Sequence, residues 1–187
     1  MAIHTHDVNE QELADRMREG DRVAMRTVYC QHVRYLTAIC ARYIPNEEDV
    51  KDVMQDAFLK IFSSAASFEY RGKGSLRGWM ARIVLNETLK FIHPSRQPVF
   101  VPLAEETARM ADETPDLEGI PAHALHQLIR NLPQGYRTIL NLYVFEEKSH
   151  KEIGRMLGIS ESTSASQFHR AKAMLARKII AYKKQMI

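Results

Sequence analysis

Residues 149–175 read SHKEIGRMLGISESTSASQFHRAKAML, and this stretch decides the fold of the carboxy-terminal part of the chain. Ser149, followed three residues later by Glu152, predicts a capping box at the start of a short helix. Gly158 can adopt the left-handed backbone conformation that ends a helix in a tight turn. Ser160 then predicts the cap of a second helix. Two short helices joined in this way form a helix-turn-helix.

The small and apolar residues of this motif predict how the two helices pack. Gly154 leaves room for a close crossing, and Ile159 fills the space between the helices. The second helix is expected to bury Phe168, Ala171 and Leu175 along one side. The remaining side chains are predicted on its outer or amino-terminal surface, namely Ser162, Thr163, Ala165, Ser166, Gln167, His169 and Arg170.

The chemistry of this outer surface is suited to reading the grooves of DNA. Glutamine pairs with adenine, and arginine pairs with guanine or phosphate. Lys151 on the first helix is predicted to neutralise a nearby phosphate, as are Lys148, Arg155 and Lys172. The alternative is a helical hairpin inside an ordinary bundle, with its polar residues merely solvated.

The positive charge of the chain is concentrated at the same end. Lysine and arginine nearly balance aspartate and glutamate over residues 1–98, at fourteen against thirteen. The balance is one against six over residues 99–121, and eleven against four over residues 122–187. A basic segment that follows an acidic connector is typical of a module that binds a polyanion.

Apolar periodicity predicts an all-α fold with two small helical domains, at residues 8–94 and 121–184. Five of the seven prolines lie between residues 94 and 121. Residues 95–120 are therefore predicted to be a flexible acidic linker. Helix caps are predicted in the first domain at Asp21, Asn46 and Ser75.

Several function classes are not indicated by the sequence. The eight histidines form no zinc-spaced set with Cys30 or Cys40, and both cysteines are interpreted as reduced, buried residues. No nucleophile triad, phosphate-binding glycine loop or paired-carboxylate motif is found, so neither an enzyme nor a cofactor is expected. No apolar stretch has the length of a signal peptide or a membrane span, so we expect a cytoplasmic protein with no membrane insertion.

Four stretches together resemble the extracytoplasmic-function sigma factors, the smallest class of bacterial sigma factors. LPQGYRTILNLYVFEEKSHKEIGRMLGIS (132–160) is similar to the fourth conserved region of that family. EGDRVAMRTVY (19–29), DVKDVMQDAFLKIF (49–62) and GKGSLRGWMARIVLN (72–86) are similar to parts of its second region. The resemblance implies promoter-specific initiation in complex with core RNA polymerase and promoter DNA, commonly under an anti-sigma factor. The helix-turn-helix would read the minus-35 element.

The same resemblance implies that the helix around residue 55 docks on the coiled-coil clamp of the largest polymerase subunit. The residues carried over are Asp52, Gln55, Asp56, Phe58 and Leu59. For Asp52 and Asp56, a plain role in supporting the helix and contacting water remains open.

The loop at residues 68–74 and the helix after it are where members of this family capture and open the minus-10 element. Aromatic rings can stack on unpaired bases, and basic side chains can hold single-strand phosphates. The expected contacts are Phe68, Tyr70, Arg71, Lys73, Arg77, Arg82 and Asn86. Trp79 is expected in the core, because an indole at helical spacing from Ile83 is usually buried.

Two residues depart from the family pattern in the recognition helix. Ser164 stands where relatives usually have a branched apolar residue, and Ala165 stands where they often have arginine or lysine. A less charged reading surface is therefore expected. The linker would thread the polymerase channel that nascent RNA later fills, although a solvated tether is an equally good interpretation.

Two other function classes remain open from the residues alone. A stand-alone transcriptional regulator would usually bind palindromes as a dimer, and no dimer seam is apparent. An adaptor that binds only proteins would ignore DNA even with polymerase present.

Overall fold

The computed structural model describes residues 9–93 and 117–185, and its regular structure is helical throughout these ranges. The chain divides into two compact units, residues 1–92 and residues 93–187. The all-α prediction is confirmed, since the described residues contain no strand. Most of the predicted acidic linker, residues 95–116, lies outside the described ranges.

The described part of unit 1 contains four helices and one 3-10 turn. They are α1 (Glu10–Arg18), α2 (Arg22–Ala41), α3 (Glu47–Ser63), the 3-10 turn Ala65–Ser67 and α4 (Ser75–Ile92). The Asp21 carboxylate accepts from the backbone N–H of Val23 at 2.7 Å. The Asn46 side chain likewise accepts from Glu48 at 2.8 Å. These two predicted caps, each typically worth about 1 kcal/mol, explain where α2 and α3 begin.

The core of unit 1 lies between α2, α3 and α4. Its buried residues recur at three- and four-residue steps and include Val28, Leu36, Ile39, Val53, Ala57, Ile61, Leu76, Met80 and Val84. Burial of one such aliphatic side chain contributes about 1.5–3 kcal/mol, so this packing holds the three helices together. Cys40 belongs to the core, but Cys30 is exposed on α2. The prediction that both cysteines are buried is wrong for Cys30, because it faces away from the inward side that Val28 marks.

Unit 2 also contains four described helices. They are α5 (Ala122–Arg130), α6 (Gln134–Val144), α7 (His150–Leu157) and α8 (Glu161–Gln185). The Arg137 guanidinium is buried and donates to the carbonyl oxygens of Arg130 at 2.6 Å and Leu132 at 3.0 Å. It thereby joins the end of α5 to α6, where a cation also complements the helix dipole. No helix in the described part of the chain is both long and apolar enough to cross a membrane.

Candidate nucleic-acid interface

The predicted helix-turn-helix is present in α7 and α8. The Glu152 carboxylate accepts from the Ser149 backbone N–H at 2.9 Å, and the Ser149 hydroxyl accepts from the Glu152 N–H at 3.3 Å. The Ser149 hydroxyl also donates to the Glu152 carboxylate at 2.7 Å, and this bond together with the one from the Ser149 N–H holds the pKa of Glu152 below its ordinary value. Gly158 has φ +70°, and the Ser160 hydroxyl accepts from the Thr163 N–H at 3.0 Å. The capping box, the glycine turn and the second cap are therefore confirmed.

Gly154 lies in close contact with the turn that joins α7 to α8. A Cβ atom built on it would lie 2.7 Å from the backbone carbonyl oxygen of Ile159. Real Cβ atoms essentially never come so close to another heavy atom, and a backbone carbonyl cannot swing away as a flexible side chain can. The predicted need for glycine at this position is confirmed.

One side of the amino-terminal half of α8 presents small polar residues to solvent. Ser162, Ser166 and His169 are exposed, and Ala165 between them is partly exposed. Their spacing of three and four residues places them in one row along the helix. Thr163 and Arg170 lie partly exposed beside this row, and Lys151 is exposed on α7. We call Ser162, Ala165, Ser166 and His169 the reading row.

Gln167 does not lie on this surface. It is only 6% exposed, and it shares the inward side of α8 with Ser164 and Ala171, three residues before it and four after it. The sequence-based placement of Gln167 on the outer surface is therefore wrong. The prediction relied on the polar amide of Gln167, but the helical spacing from its buried neighbours determines that the residue faces inward.

The unusual serine in the recognition helix has a partner on α7. Ser164 is fully buried, and its hydroxyl lies 3.1 Å from Nδ1 of His150. The His150 ring stacks on Tyr143 of α6, with 4.6 Å between ring centroids. A buried hydroxyl is costly only when it has no hydrogen-bond partner, so His150 explains how serine is accommodated here.

Unit 1 contains a cavity of about 540 Å³ beside the first turns of α4. We call it the minus-10 cavity, after the element expected at these segments. Its lining residues come from the loop before α4 and from one face of the helix, and they are Ser67, Phe68, Glu69, Arg71, Ser75, Gly78, Trp79 and Arg82. Asn86 is exposed and continues the same helical face one turn beyond Arg82.

The burial of the two aromatic residues at this cavity is the reverse of the prediction. Phe68 is only 4% exposed, so its ring cannot offer a free face to a base, contrary to the prediction. It packs against Trp79, with ring centroids 5.1 Å apart. Trp79 was expected in the core but is partly exposed at the cavity wall. The indole is therefore the aromatic surface available there.

The basic residues expected at the minus-10 element do not form one cluster. Arg82 is exposed at the cavity, and Arg71 pairs with Glu69 at 3.0 Å. Arg77 instead lies against α2, with its guanidinium carbon 3.7 Å from the centre of the Tyr35 ring. Lys73 is exposed and Tyr70 partly exposed on the loop, and neither lines the cavity.

The start of α4 is capped by a residue that the sequence did not indicate. Oε2 of Glu10 on α1 accepts from the Gly74 N–H at 2.6 Å, and Oε1 accepts from the Leu76 N–H at 2.8 Å. The predicted cap, Ser75, is the first helical residue, and its hydroxyl accepts from the Arg71 N–H at 3.2 Å. The prediction for Ser75 is thus wrong, because Ser75 is already inside the helix and its hydroxyl bonds back to the loop, while a carboxylate remote in sequence accepts from the amides on either side of it.

The outer side of α3 combines acidic and apolar character. Asp52, Gln55 and Asp56 are exposed, and the Leu59 side chain is 63% exposed. We call these four residues the docking face. Beside it, an apolar groove of about 480 Å³ runs between α2 and α3. Phe58, expected on the docking face, is 6% exposed and packs against Tyr29, so it supports this face from within.

No group of three or more histidine, cysteine, aspartate or glutamate residues that could hold a metal ion occurs in the parts of the chain described above.

The lysine and glutamate at the α3–α4 contact form an ion pair, Lys60 to Glu87 at 2.6 Å. This bond holds the pKa of Glu87 below its ordinary value. The pair joins α3 to α4 and offers no reactive group.

Two family models match the chain, one in each unit. The model described as Sigma-70 region 2 matches residues 28–95. The model described as Sigma-70, region 4, matches residues 122–175. The second match includes all of α7 and the amino-terminal half of α8, and therefore the reading row.

Curated relatives match over most of their length. The chain is 31% identical over 172 residues to "ECF RNA polymerase sigma factor SigM" of Mycobacterium tuberculosis, covering 92% of this chain and 85% of the relative. It is 26% identical over 184 residues to "ECF RNA polymerase sigma-E factor" of Haemophilus influenzae, covering 92% and 96%. A solved structure, of CnrH in complex with the cytosolic domain of CnrY, has 24% identity and a TM-score of 0.47, covering 90% of this chain and 96% of that chain.

Proposed function

Because the chain belongs to the ECF family of RNA polymerase sigma factors, we propose that each of its units reads one promoter element. Sigma factors are non-catalytic specificity subunits, so the chain directs promoter-specific initiation and RNA synthesis belongs to the polymerase. Neither a stand-alone regulator nor a protein-binding adaptor accounts for the matches in both units. The helix-turn-helix with its exposed reading row is the observation that most strongly supports this proposal.

Unit 2 reads the minus-35 element with α8 in the major groove. Ser162, Ser166 and His169 present hydroxyl and imidazole groups that hydrogen-bond base edges, and Arg170 beside them suits guanine or a phosphate. Lys151 on α7 contacts the DNA backbone. Since the reading row contains no arginine or lysine, discrimination here depends on short polar contacts, while affinity depends on the flanking cations.

Unit 1 holds an unpaired base of the minus-10 element in the minus-10 cavity. Trp79 supplies a stacking surface, the hydroxyls of Ser67 and Ser75 supply hydrogen bonds, and the Arg82 side chain at the cavity supplies a cation for a strand phosphate. Asn86 continues this face and would read a neighbouring base. Capture of the base offsets the cost of unstacking it, a few kcal/mol per step, so opening needs no catalytic group.

The docking face binds the polymerase clamp. The acidic side chains of Asp52 and Asp56 suit a basic partner helix, and Leu59 supplies an apolar contact that is exposed in the free protein. Phe58 lies beneath this surface, packed against the rings of Tyr29 and Phe62, and also lines the apolar groove beside the docking face.

The remaining assignments follow from family membership and from composition. Residues 8–94 and 121–184 are the polymerase-binding and DNA-reading domains, and residues 95–120 are an acidic tether between them. An anti-sigma factor is the partner expected to hold the protein inactive. The site of action is the cytoplasm, where polymerase and promoter are found.

Replacement of Arg170 by alanine tests the minus-35 assignment. Holoenzyme carrying Arg170→Ala is expected to bind the minus-35 duplex more weakly by about 1–3 kcal/mol, the typical worth of a bidentate contact. Lys184→Ala, which removes the same charge from the exposed far end of α8, is the matched control. Fluorescence anisotropy with labelled promoter fragments measures both, and equal affinity of the two variants would contradict the assignment.

A further inference from the structure

We infer that Glu10 on α1 is a positioning residue for promoter opening, which holds the minus-10 cavity in the shape that selects its base. The inference rests on the proposed role of that cavity. Glu10 lies outside residues 28–95, the segment that matches the family model of region 2.

The geometry joins Glu10 to the cavity in two steps. Its two carboxylate oxygens accept from the N–H groups of Gly74 and Leu76, on either side of Ser75. The Ser75 hydroxyl in turn accepts from the Arg71 N–H at 3.2 Å. Ser75 and Arg71 both line the cavity, so Glu10 fixes the backbone that carries two of its wall residues.

The loop needs such a support because its own backbone is permissive. Gly72 has φ +109° and Gly74 has φ +88°. Glycine adopts positive φ about as readily as negative φ, so these two residues do not by themselves fix the path of the loop. A bidentate carboxylate restricts this freedom at the junction between loop and helix. Arg77 adds a second restraint in the same turn of α4, since its guanidinium lies against Tyr35 of α2.

The support itself is anchored. Leu13, Ala14 and Met17 of α1 are buried, and Arg16 pairs with Asp21 at 2.7 Å. Because α1 is packed in this way, Glu10 cannot simply follow the loop when a ligand approaches. The loop is therefore held to a packed helix.

Glu10 also decides what the start of α4 can bind. Free amides at a helix amino terminus attract phosphate. Here a carboxylate already occupies them, and its negative charge disfavours a strand phosphate at this end. The DNA backbone is therefore directed to the arginine side chains, and the cavity is left for a base.

The test compares Glu10→Ala and Glu10→Gln in holoenzyme with core polymerase. Promoter opening is followed by 2-aminopurine fluorescence on a duplex promoter and on single-base variants of its minus-10 element. Glu10→Ala is expected to slow opening about tenfold, as loss of a helix cap predicts, and to flatten the discrimination between bases. Glu10→Gln keeps one acceptor oxygen, so an intermediate result is expected.

Glu12→Ala is the matched control, because Glu12 lies on the same turn of α1 and its only ion pair in the described residues is a 3.9 Å contact with Arg16. It is expected to behave as the wild type. Hydrogen exchange of the Gly74 and Leu76 amides should be faster in Glu10→Ala, while core binding and minus-35 binding are unchanged. These unchanged binding steps separate positioning from general unfolding.

Two results would overturn the inference. One is wild-type opening and base discrimination in Glu10→Ala despite faster exchange of the two amides. The other is a parallel loss of core binding and opening in both Glu10 variants, which indicates only a damaged fold. Trp79→Ala and Arg82→Ala distinguish a failure of this inference from a failure of the proposed cavity. If these two variants also leave promoter opening unchanged, the cavity itself is misassigned. If they impair promoter opening while Glu10→Ala does not, only the role of Glu10 fails.

Discussion

Gly154→Val is expected to abolish specific binding of the minus-35 element while binding of core polymerase through unit 1 persists. The added side chain would meet the backbone carbonyl of Ile159, since even a Cβ atom there would lie 2.7 Å from it. Overpacking of a well-packed contact typically costs about 1–3 kcal/mol, and a backbone obstacle belongs at the upper end. Separation of α7 from α8 would rotate the reading row out of the groove. Gel-shift titration with minus-35 duplex measures this loss.

Gly78→Ala provides the stability control for this prediction. Gly78 also lies inside a helix, but a Cβ atom there would meet nothing within 4 Å. Alanine in a helix is favoured over glycine by about 1 kcal/mol, so this variant should melt at or above the wild-type temperature. Equal melting temperatures and equal minus-35 affinity for Gly154→Val and the wild type would show that the close crossing is not required.

Leu59→Asp is expected to remove the chain from core polymerase. The Leu59 side chain is 63% exposed, so its replacement should leave the fold of unit 1 intact. An apolar residue at the centre of an interface typically contributes about 2 kcal/mol or more when it is buried by the partner, which is roughly thirtyfold in affinity. The ionised aspartate would also have to be desolvated at a contact that is apolar in the wild type. Co-purification with tagged core enzyme detects the loss of binding, and biolayer interferometry on immobilised core enzyme measures the affinity.

Gln11→Asp is the matched control for Leu59→Asp. Gln11 is exposed in the first turn of α1, where an added negative charge is favourable to the helix. Both variants therefore gain the same charge within unit 1, and only one gains it on the docking face. If the two variants bind core polymerase equally well, the docking face has been assigned to the wrong side of α3.

Features encoded by neighbouring residues could be predicted from the sequence. The capping box at Ser149, the turn at Gly158 and the cap at Ser160 each depend on residues no more than five positions apart, and each is present. Gly154 was also predictable, because a glycine inside a short helix before a turn indicates a close crossing. Local chemistry determines these features before any tertiary contact forms.

Features that depend on long-range packing could not be predicted. Glu10 caps an amide 64 positions away, and no local pattern indicates such a pair. Phe68 and Trp79 pack against each other, and the fold of the loop buries the phenyl ring and leaves the indole partly exposed. Gln167 follows the inward periodicity of α8, although its chemistry suited the outer surface. In each case packing overrides the preference of the individual side chain.

Transcription of genomic DNA from the chain's own organism by core polymerase, with and without the purified chain, tests its role as a promoter-specific sigma factor most directly. Mapping of the transcript 5′ ends is expected to yield a small set of discrete start sites that require the chain and share two sequence elements. Arg170→Ala should weaken dependence on the upstream element, and Trp79→Ala should weaken dependence on the downstream one. An unchanged pattern of transcripts with and without the chain would contradict the proposed function.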